Sequence, residues 1–241
     1  MRRLLMSDAA EGERVLQGAG FHHLARVLRA REGDALEVFD GKGQNFPAKV
    51  IRLEPERALL KLEAPTASPP RRAITLIQAL PKADRLEWVL QKGTELGASA
   101  FWPVQAERCV VKWKEDGGKK VQRWQRIVEE AARQCERSDV PTVSSPVDAA
   151  VAAASLKVSH RLLLLDEEER ERTLSTAVAA ESTTQPLALL IGPEGGWARP
   201  EVDALKSLGA QPVTLGRQVL RTETAPLAAL VVIRHFDGEL G

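Results

Sequence analysis

The sequence predicts an α/β protein in two parts: a small β-rich segment, then a larger segment whose strands form a mostly parallel sheet flanked by helices. Three observations carry this expectation. From Ala73 onward, short apolar runs alternate with amphipathic helical patterns, the order that builds a parallel sheet. Before Ala73 the chain reads as closely spaced strands joined by turns rich in Gly and Asp. Between them lies Ala64 to Arg72 (APTASPPRR), whose prolines favour an extended spacer. The expected division is 1–67, a linker over 68–72, and 73–241.

In the first part, Phe21 to Arg31 (FHHLARVLRAR) reads as a short helix with Leu24, Val27 and Leu28 on one face. Gly33-Asp34 makes a turn, Ala35 to Phe39 alternates as a strand, and Asp40-Gly41-Lys42-Gly43 is a hairpin signal. Phe46 to Leu53 is the return strand and Ala58 to Leu62 another. His22 and His23 are adjacent, so on a helix they point in different directions and make no ligand pair.

In the second part, Ala73 to Leu80 is an apolar strand. Asp84 and Glu87 form a capping-box pattern ahead of a helix carrying Leu86, Val89, Leu90 and Leu96, which Gly97 closes. Lys92 and Glu95 fit either an exposed helical ion pair or a direct role. Phe101 to Val104 is the next strand, and Lys112 to Lys120 a polar loop. A long helix follows with Val121, Trp124, Val128, Ala131 and Cys135 at spacings of three and four, ended before Pro141. Ala149 to Val158 reads as a surface helix, Arg161 to Leu165 as a buried strand, Asp166 to Arg172 as a solvated charge run, and Ser175 to Ala180 as a helix.

The stretch Leu187 to Ile233 organises the rest. An apolar strand, Leu187 to Ile191, stops at Gly192-Pro193-Glu194-Gly195-Gly196. A helix begins at Arg199 or Pro200 and ends at Gly209. A second strand, Val213 to Leu215, ends at Gly216, and the polar loop Arg217 to Glu223 leads into an apolar helix starting near Thr222 or Thr224. In an open parallel sheet such loops gather at the carboxyl ends of strands, where ligands bind. The first loop lacks the Lys-Ser/Thr of a phosphate loop and the Gly-x-Gly-x-x-Gly order of a dinucleotide site. Taken alone, it fits a tight turn as well as a close backbone approach to a ligand.

IGPEGGW at 191–197 followed by LGRQVLRTETAPLAAL at 215–230 resembles the paired signature of the SPOUT class of RNA methyltransferases. Within that class it is most similar to the RsmE-type family, which methylates N3 of a uridine in 16S ribosomal RNA. KADRLEWVLQKGTELG, EEAARQCERSDVPTV and HHLARVLRAREGD with FDGKG match the same family, so the resemblance spans almost the whole chain. Glu136 departs from it, standing where many members carry Gly or Asn.

The resemblance implies a SPOUT-type trefoil-knotted sheet preceded by a small PUA-like β-barrel. It also implies S-adenosyl-L-methionine as cofactor, 16S ribosomal RNA of the small subunit as substrate, and a homodimer whose site is completed across the interface. The cofactor residues it implies are Leu165; Ile191, Gly192, Pro193, Glu194, Gly195 and Gly196 of the first loop; and Leu215, Gly216, Leu220, Arg221, Thr222, Glu223, Thr224 and Ala225 of the second. Arg26, Arg29, Arg31 and Lys42 are the implied phosphate contacts of the first part. Uridine N3 is a weak acid, so its methylation calls for a fixed cation near the forming anion, and arginine suits that task. Arg137 and Arg221 are the candidates. Glu223 or Glu194 would orient them or accept the proton, against a plain capping role. Ribose 2′-O-methylation on the same fold and a non-catalytic RNA-binding assembly factor are the competing readings.

Composition sets outer bounds. The 241 residues are 44% hydrophobic and 28% charged, as in an ordinary globular protein. Cys109 and Cys135 are too few for a Cys-based zinc cluster and are expected to be reduced thiols in a cytoplasmic protein. No metal is called for, no secretory segment is expected at Met1 to Met6, and no apolar run would span a bilayer. Net charge is only +1; residues 1–72 hold thirteen Lys/Arg against ten Asp/Glu, and 73–241 twenty-one against twenty-three. That asymmetry is compatible with RNA contact by the first part without requiring it.

Overall fold

The computed structural model describes residues 2–114, 118–179 and 185–241. Met1, the middle of the expected Lys112 to Lys120 loop and the Ala180 end of the expected 175–180 helix lie outside the described residues. The chain divides into two compact units, residues 1–70 with 132–140, and residues 71–131 with 141–241.

The first unit contains β1 (Arg3–Leu5), β2 (Gly12–Gln17), α1 (Gly18–His22) running into a π-helical turn (His23–Val27), β3 (Ala35–Phe39), β4 (Gln44–Leu53), β5 (Arg57–Leu62) and β6 (Thr66–Ala67). The sheet order is β1-β3-β4-β5-β2, with β6 paired to β4. The Asp40–Gly43 turn closes the expected hairpin: β3 and β4 pair antiparallel, with Phe39 opposite Asn45. Alternation then sorts the side chains, so that Phe46, Ala48 and Val50 of β4 and Ala58, Leu60 and Leu62 of β5 enter one core with Leu4, Leu16 and Leu24. β1 and β2 lie outside the strands expected from the sequence.

The expected Phe21–Arg31 helix is shorter and differently wound. Leu28 N donates to His23 O at 2.9 Å, an i to i+5 bond that adds a residue to the turn. Leu24 is therefore buried, whereas Val27, expected beside it, is 66% exposed. Arg29 then takes a φ of 49° and ends the segment.

Residues 132–140 belong to this unit through Arg3. Buried Arg3 donates from Nη1 to Arg137 O (3.1 Å), from Nε to Glu37 (2.6 Å) and from Nη2 to Asn45 (2.7 Å). Gly43 N donates to Ser138 O at 3.1 Å, and Val140 N to Gly41 O at 2.9 Å. Glu136 has a φ of 60°. A side chain costs about 1–2 kcal/mol there that Gly or Asn largely avoids, so the position suits the residues of the family pattern better than the Glu that stands here.

The second unit is built on β7 (Ile74–Ala79), α2 (Arg85–Glu95), β8 (Ala100–Gln105), α3 (Lys119–Gln134, whose last turn joins the first unit), β9 (Thr142–Val143), β10 (Val147–Asp148) and α4 (Ala149–Leu156). It continues with β11 (Arg161–Leu165), α5 (Leu174–Ala179), β12 (Leu187–Ile191), α6 (Arg199–Ser207), β13 (Gln211–Val213) and α7 (Ala225–Phe236). Every ladder is parallel, in the order β10-β8-β7-β12-β11-β13, with β9 beside β8. β7 and β12 are buried along their whole length, as strands covered on both faces must be. The chain builds outward from β7 to β8 and β10, then crosses to the other side for β11, so the direction reverses at the β7–β12 pair. Ligands of open α/β sheets bind beyond the carboxyl ends of strands near such a reversal.

Three local expectations change. Asp84 makes no side-chain cap, because its own backbone (φ −86°, ψ 13°) is not extended as a cap requires; Glu87 bonds Arg123 at 2.8 Å instead. Leu96 is only half-buried, although Gly97 (φ 90°) does follow the helix end. The expected surface helix at 149–158 buries Ala149, Ala152, Ala153 and Leu156, since alanines allow close packing against the strands behind it; only its far side, with Val151 exposed, faces solvent.

Candidate active site

A cavity of about 370 Å³ opens beyond the carboxyl ends of β11, β12 and β13 in the second unit. Of the residues expected to hold a cofactor, Leu165, Ile191, Gly192, Pro193, Glu194, Gly196, Leu215, Gly216, Leu220, Arg221, Thr222 and Ala225 line it. Gly195, Glu223 and Thr224 do not. Gly195 lies against Arg108, which donates to its carbonyl at 2.9 Å, and Thr224 stands at the start of α7 without a side-chain cap bond.

The first loop is a tight turn, with Gly196 N bonded to Pro193 O at 3.0 Å; Pro193 and Gly196 are buried, while Glu194 and Gly195 are exposed. A Cβ on Gly192 would come 3.1 Å from the Trp197 indole. A Cβ on Gly196, whose φ is 66°, would fall 2.2 Å from Glu167 Oε1. Backbone economy and close approach are therefore both needed here. At the rim, Glu194 Oε1 accepts from Lys82 N (2.9 Å) and Arg85 Nη1 (3.2 Å). Arg85 also pairs with Glu223 at 3.5 Å, so one arginine bridges a carboxylate from each loop. At the base, Thr222 Oγ1 donates to Gly192 O at 2.7 Å.

The cavity also uses residues the sequence reading passed over: Arg85, Asp166, Glu167, Arg170, Trp197, Arg217 and Gln218 among them. The Asp166–Arg172 run is thus not merely solvated. Asp166 is buried, and Arg199 donates to both its oxygens at 3.0 Å. Burial pulls the Asp166 carboxyl upward, but the Arg199 bonds and the Glu168 amide outweigh it and hold the group below the usual carboxylate range. Its place directly after β11, at the carboxyl edge of the sheet, was the signal that would have marked it.

The two candidate arginines part company. Arg221 lines the cavity, is exposed, and its guanidinium has no ion-pair or hydrogen-bond partner among the described residues. Arg137 does not line the cavity; it belongs to the first unit, is 6% exposed, and pairs with Asp139. Arg26, Arg29, Arg31 and Lys42 are all exposed in the first unit and form no ion pair among the described residues. Lys92 and Glu95 make the helical ion pair, at 2.8 Å. Among the described residues, no His/Cys/Asp/Glu group could hold a metal.

Comparison with known proteins accords with this architecture. An RNA methyltransferase domain family matches residues 68–234, and an RNA methyltransferase PUA domain family matches residues 16–63. The chain is 37% identical over 227 residues to the ribosomal RNA small subunit methyltransferase E of Mycobacterium bovis, covering 90% of this chain and 84% of that protein. It is 34% identical over 239 residues to the protein of that name from Bacillus subtilis, covering 91% and 89%. A crystal structure of the Neisseria gonorrhoeae enzyme of that name, bound to S-adenosyl methionine, superposes with a TM-score of 0.85 at 30% identity, covering 98% of this chain and 97% of that one. The parallel sheet with its glycine-walled cavity, the appended PUA-type unit and these identities lead to one assignment: the chain is an RNA methyltransferase of the ribosomal RNA small subunit methyltransferase E family.

Proposed function

We propose that this protein methylates N3 of a uridine in 16S ribosomal RNA of the small subunit, using S-adenosylmethionine held in the cavity beyond β11, β12 and β13. The observation that carries the proposal is one cavity walled by both loops, with Arg221, whose guanidinium has no partner among the described residues, on its lining. The wall suits the cofactor: Leu165, Ile191, Leu215 and Leu220 offer apolar surface to a flat base, and the glycines leave backbone bare beside it. When bound, the cofactor supplies the methyl group on a sulfonium.

The rest falls to the chain's own residues. Arg221 places a permanent charge where the uridine anion forms, favouring loss of the N3 proton. Glu223 and Glu194, both bound to Arg85, hold the rim and are the nearest candidates to receive that proton. Arg137 enters as a group brought by a second copy. In support of a homodimer, Trp88 of α2 and Val231 of α7 remain exposed (52% and 44%) on neighbouring helices. Arg26, Arg29, Arg31 and Lys42 of the PUA-like unit contact RNA phosphates. The loops around the cavity form the trefoil knot of the SPOUT class, and the enzyme works in the cytoplasm; among the described residues no helix is long and apolar enough to cross a membrane.

Calorimetry with S-adenosylmethionine, followed by mass spectrometry of digested 16S RNA, tests this reading. Cofactor binding and a methyl group on the uracil base are expected. A methyl group on ribose would favour the 2′-O reading, and absence of cofactor binding the assembly-factor reading.

A further inference from the structure

We propose that Gln78, which does not line the cavity, is a positioning residue that sets the spacing of the two cofactor loops through the hydroxyl of Thr222; the inference rests on the cavity being the cofactor site. Gln78 stands near the carboxyl end of β7, opposite Ile191 of β12, at the reversal of the sheet. It is 1% exposed, an unusual place for a polar side chain inside a strand buried from end to end. Its Nε2 donates to Ala79 O and to Thr222 Oγ1, both at 3.0 Å. Thr222 is itself buried, and its hydroxyl donates to Gly192 O at 2.7 Å.

The polarity of this relay follows from the chemistry. A hydroxyl has one proton. Because Gln78 presents an N–H to Thr222, the hydroxyl accepts there and its proton is committed to Gly192 O. Thr222 belongs to the second loop and Gly192 to the first, so the bond fixes the distance between the two walls. Gln78 Oε1 is buried and has no partner among the described residues, a cost that packing alone would not retain. An apolar residue would fill the strand without it, but would leave the Thr222 proton free to turn away.

Substitution of Gln78 separates the relay from mere packing. Gln78→Met keeps the volume and removes the donor; cofactor affinity is expected to weaken about tenfold, the order of one buried hydrogen bond. Thr222→Val should weaken it similarly, Thr222→Ser should stay near the native value, and the Gln78→Met, Thr222→Val pair should be little worse than either alone. Gln78→Glu gives the sharpest readout. An ionised carboxylate can only accept, so it would draw the Thr222 proton away from Gly192. Its cofactor affinity should be weak at neutral pH and recover relative to native as pH falls and the carboxyl becomes a donor. Calorimetry across pH on full-length proteins, each checked for cooperative thermal unfolding, supplies these values. If Gln78→Met does not fold, the Thr222 variants and Gln78→Glu decide the matter. Native-like affinity in Gln78→Met, additive effects in the pair, or a Gln78→Glu profile parallel to native would overturn the relay. Failure of the native protein to bind S-adenosylmethionine would instead overturn the cofactor reading itself.

Discussion

The two loops that wall the cavity are held very differently. The first is gripped residue by residue: Gly192 under Trp197, Glu194 by Lys82 N and Arg85, Gly195 by Arg108, Gly196 against Glu167. Beyond it, Arg199 ties the N-terminus of α6 to Asp166. The second loop is loosely held. Gly216 has open space where a Cβ would stand, Arg217 and Gln218 are exposed, and Val219 is 74% exposed. Its fastenings among the described residues include Thr214 at Gly216, Thr222 at the base and Glu223 at the rim. A preformed wall opposed by an open one is the arrangement expected where one side orders a ligand and the other must admit a second, larger substrate.

The comparison breaks most visibly at Arg221, the cation on the open wall. Arg221→Lys should lower single-turnover methylation about a hundredfold while cofactor affinity is kept, because a point charge does not reproduce the planar fork. Raising pH should restore part of the rate, since more uridine is then ionised before attack. A near-normal rate would shift the role to Arg137, whose own lysine variant should be measured alongside, with the oligomer mass.

The glycines come next. Gly196→Ala and Gly216→Ala each place a side chain at a positive φ, a strain of about 1–3 kcal/mol. Only Gly196→Ala also drives Glu167 from its place on the cavity wall. Its cofactor dissociation constant should therefore rise more, roughly tenfold, which corresponds to about 1.4 kcal/mol, within the lower part of that strain range. Adding Glu167→Ala should recover part of the difference. Equal loss in the two alanine variants, by calorimetry, would mean that the walls are equally tolerant.

The Asp166–Arg199 pair predicts an acid limit for the gripped wall. The folded-state carboxyl lies below its ordinary value, so its stabilisation is fully present above the unfolded pKa and is lost as pH falls through the folded one. With Arg199 39% exposed, its share is roughly 1–2 kcal/mol after solvent screening. Asp166→Asn should lower the melting temperature at pH 7 and flatten the acid side of the stability curve. A variant that parallels native at every pH would remove the pair from the account.

The smallest effect belongs to Arg85, the partly exposed bridge across the rim. Arg85→Gln should weaken cofactor binding by a fewfold at most, since an exposed pair contributes about 0–1 kcal/mol, and high salt should erase the difference from native. A difference that persists at high salt would show that Arg85 acts on the ligand directly rather than through Glu194 and Glu223.

Much of the architecture was legible in the chain because it rests on local rules. Strand and helix alternation after Ala73, the Asp40–Gly43 hairpin, and the breaks at Gly97 and Gly209 are local features of backbone and pattern, and they stand where expected. The first glycine loop was legible for the same reason, being an abrupt stop to the apolar strand β12, whereas β13 spans Gln211–Val213 rather than the expected Val213 to Leu215. β1 and β2 were not, because neither carries a long apolar period, and Arg3 reads as a surface charge until Glu37, Asn45 and the Arg137 carbonyl surround it.

Sequence by itself therefore determined the long apolar strands, the amphipathic helices and the sharpest glycine turns, since hydrophobic period and backbone freedom are properties of consecutive residues. Only tertiary structure decided which residues meet. The parallel order brings the ends of β7, β11, β12 and β13 to one edge, so Asp166, Gly192 and Thr222, far apart in the chain, wall one cavity, with Gln78 bonded to Thr222 behind them. It also drew Arg137 into the first unit, although 71–131 and 141–241, on either side of its segment, build the second. Hydrogen bonds and burial act across space, and no spacing along the chain encodes them.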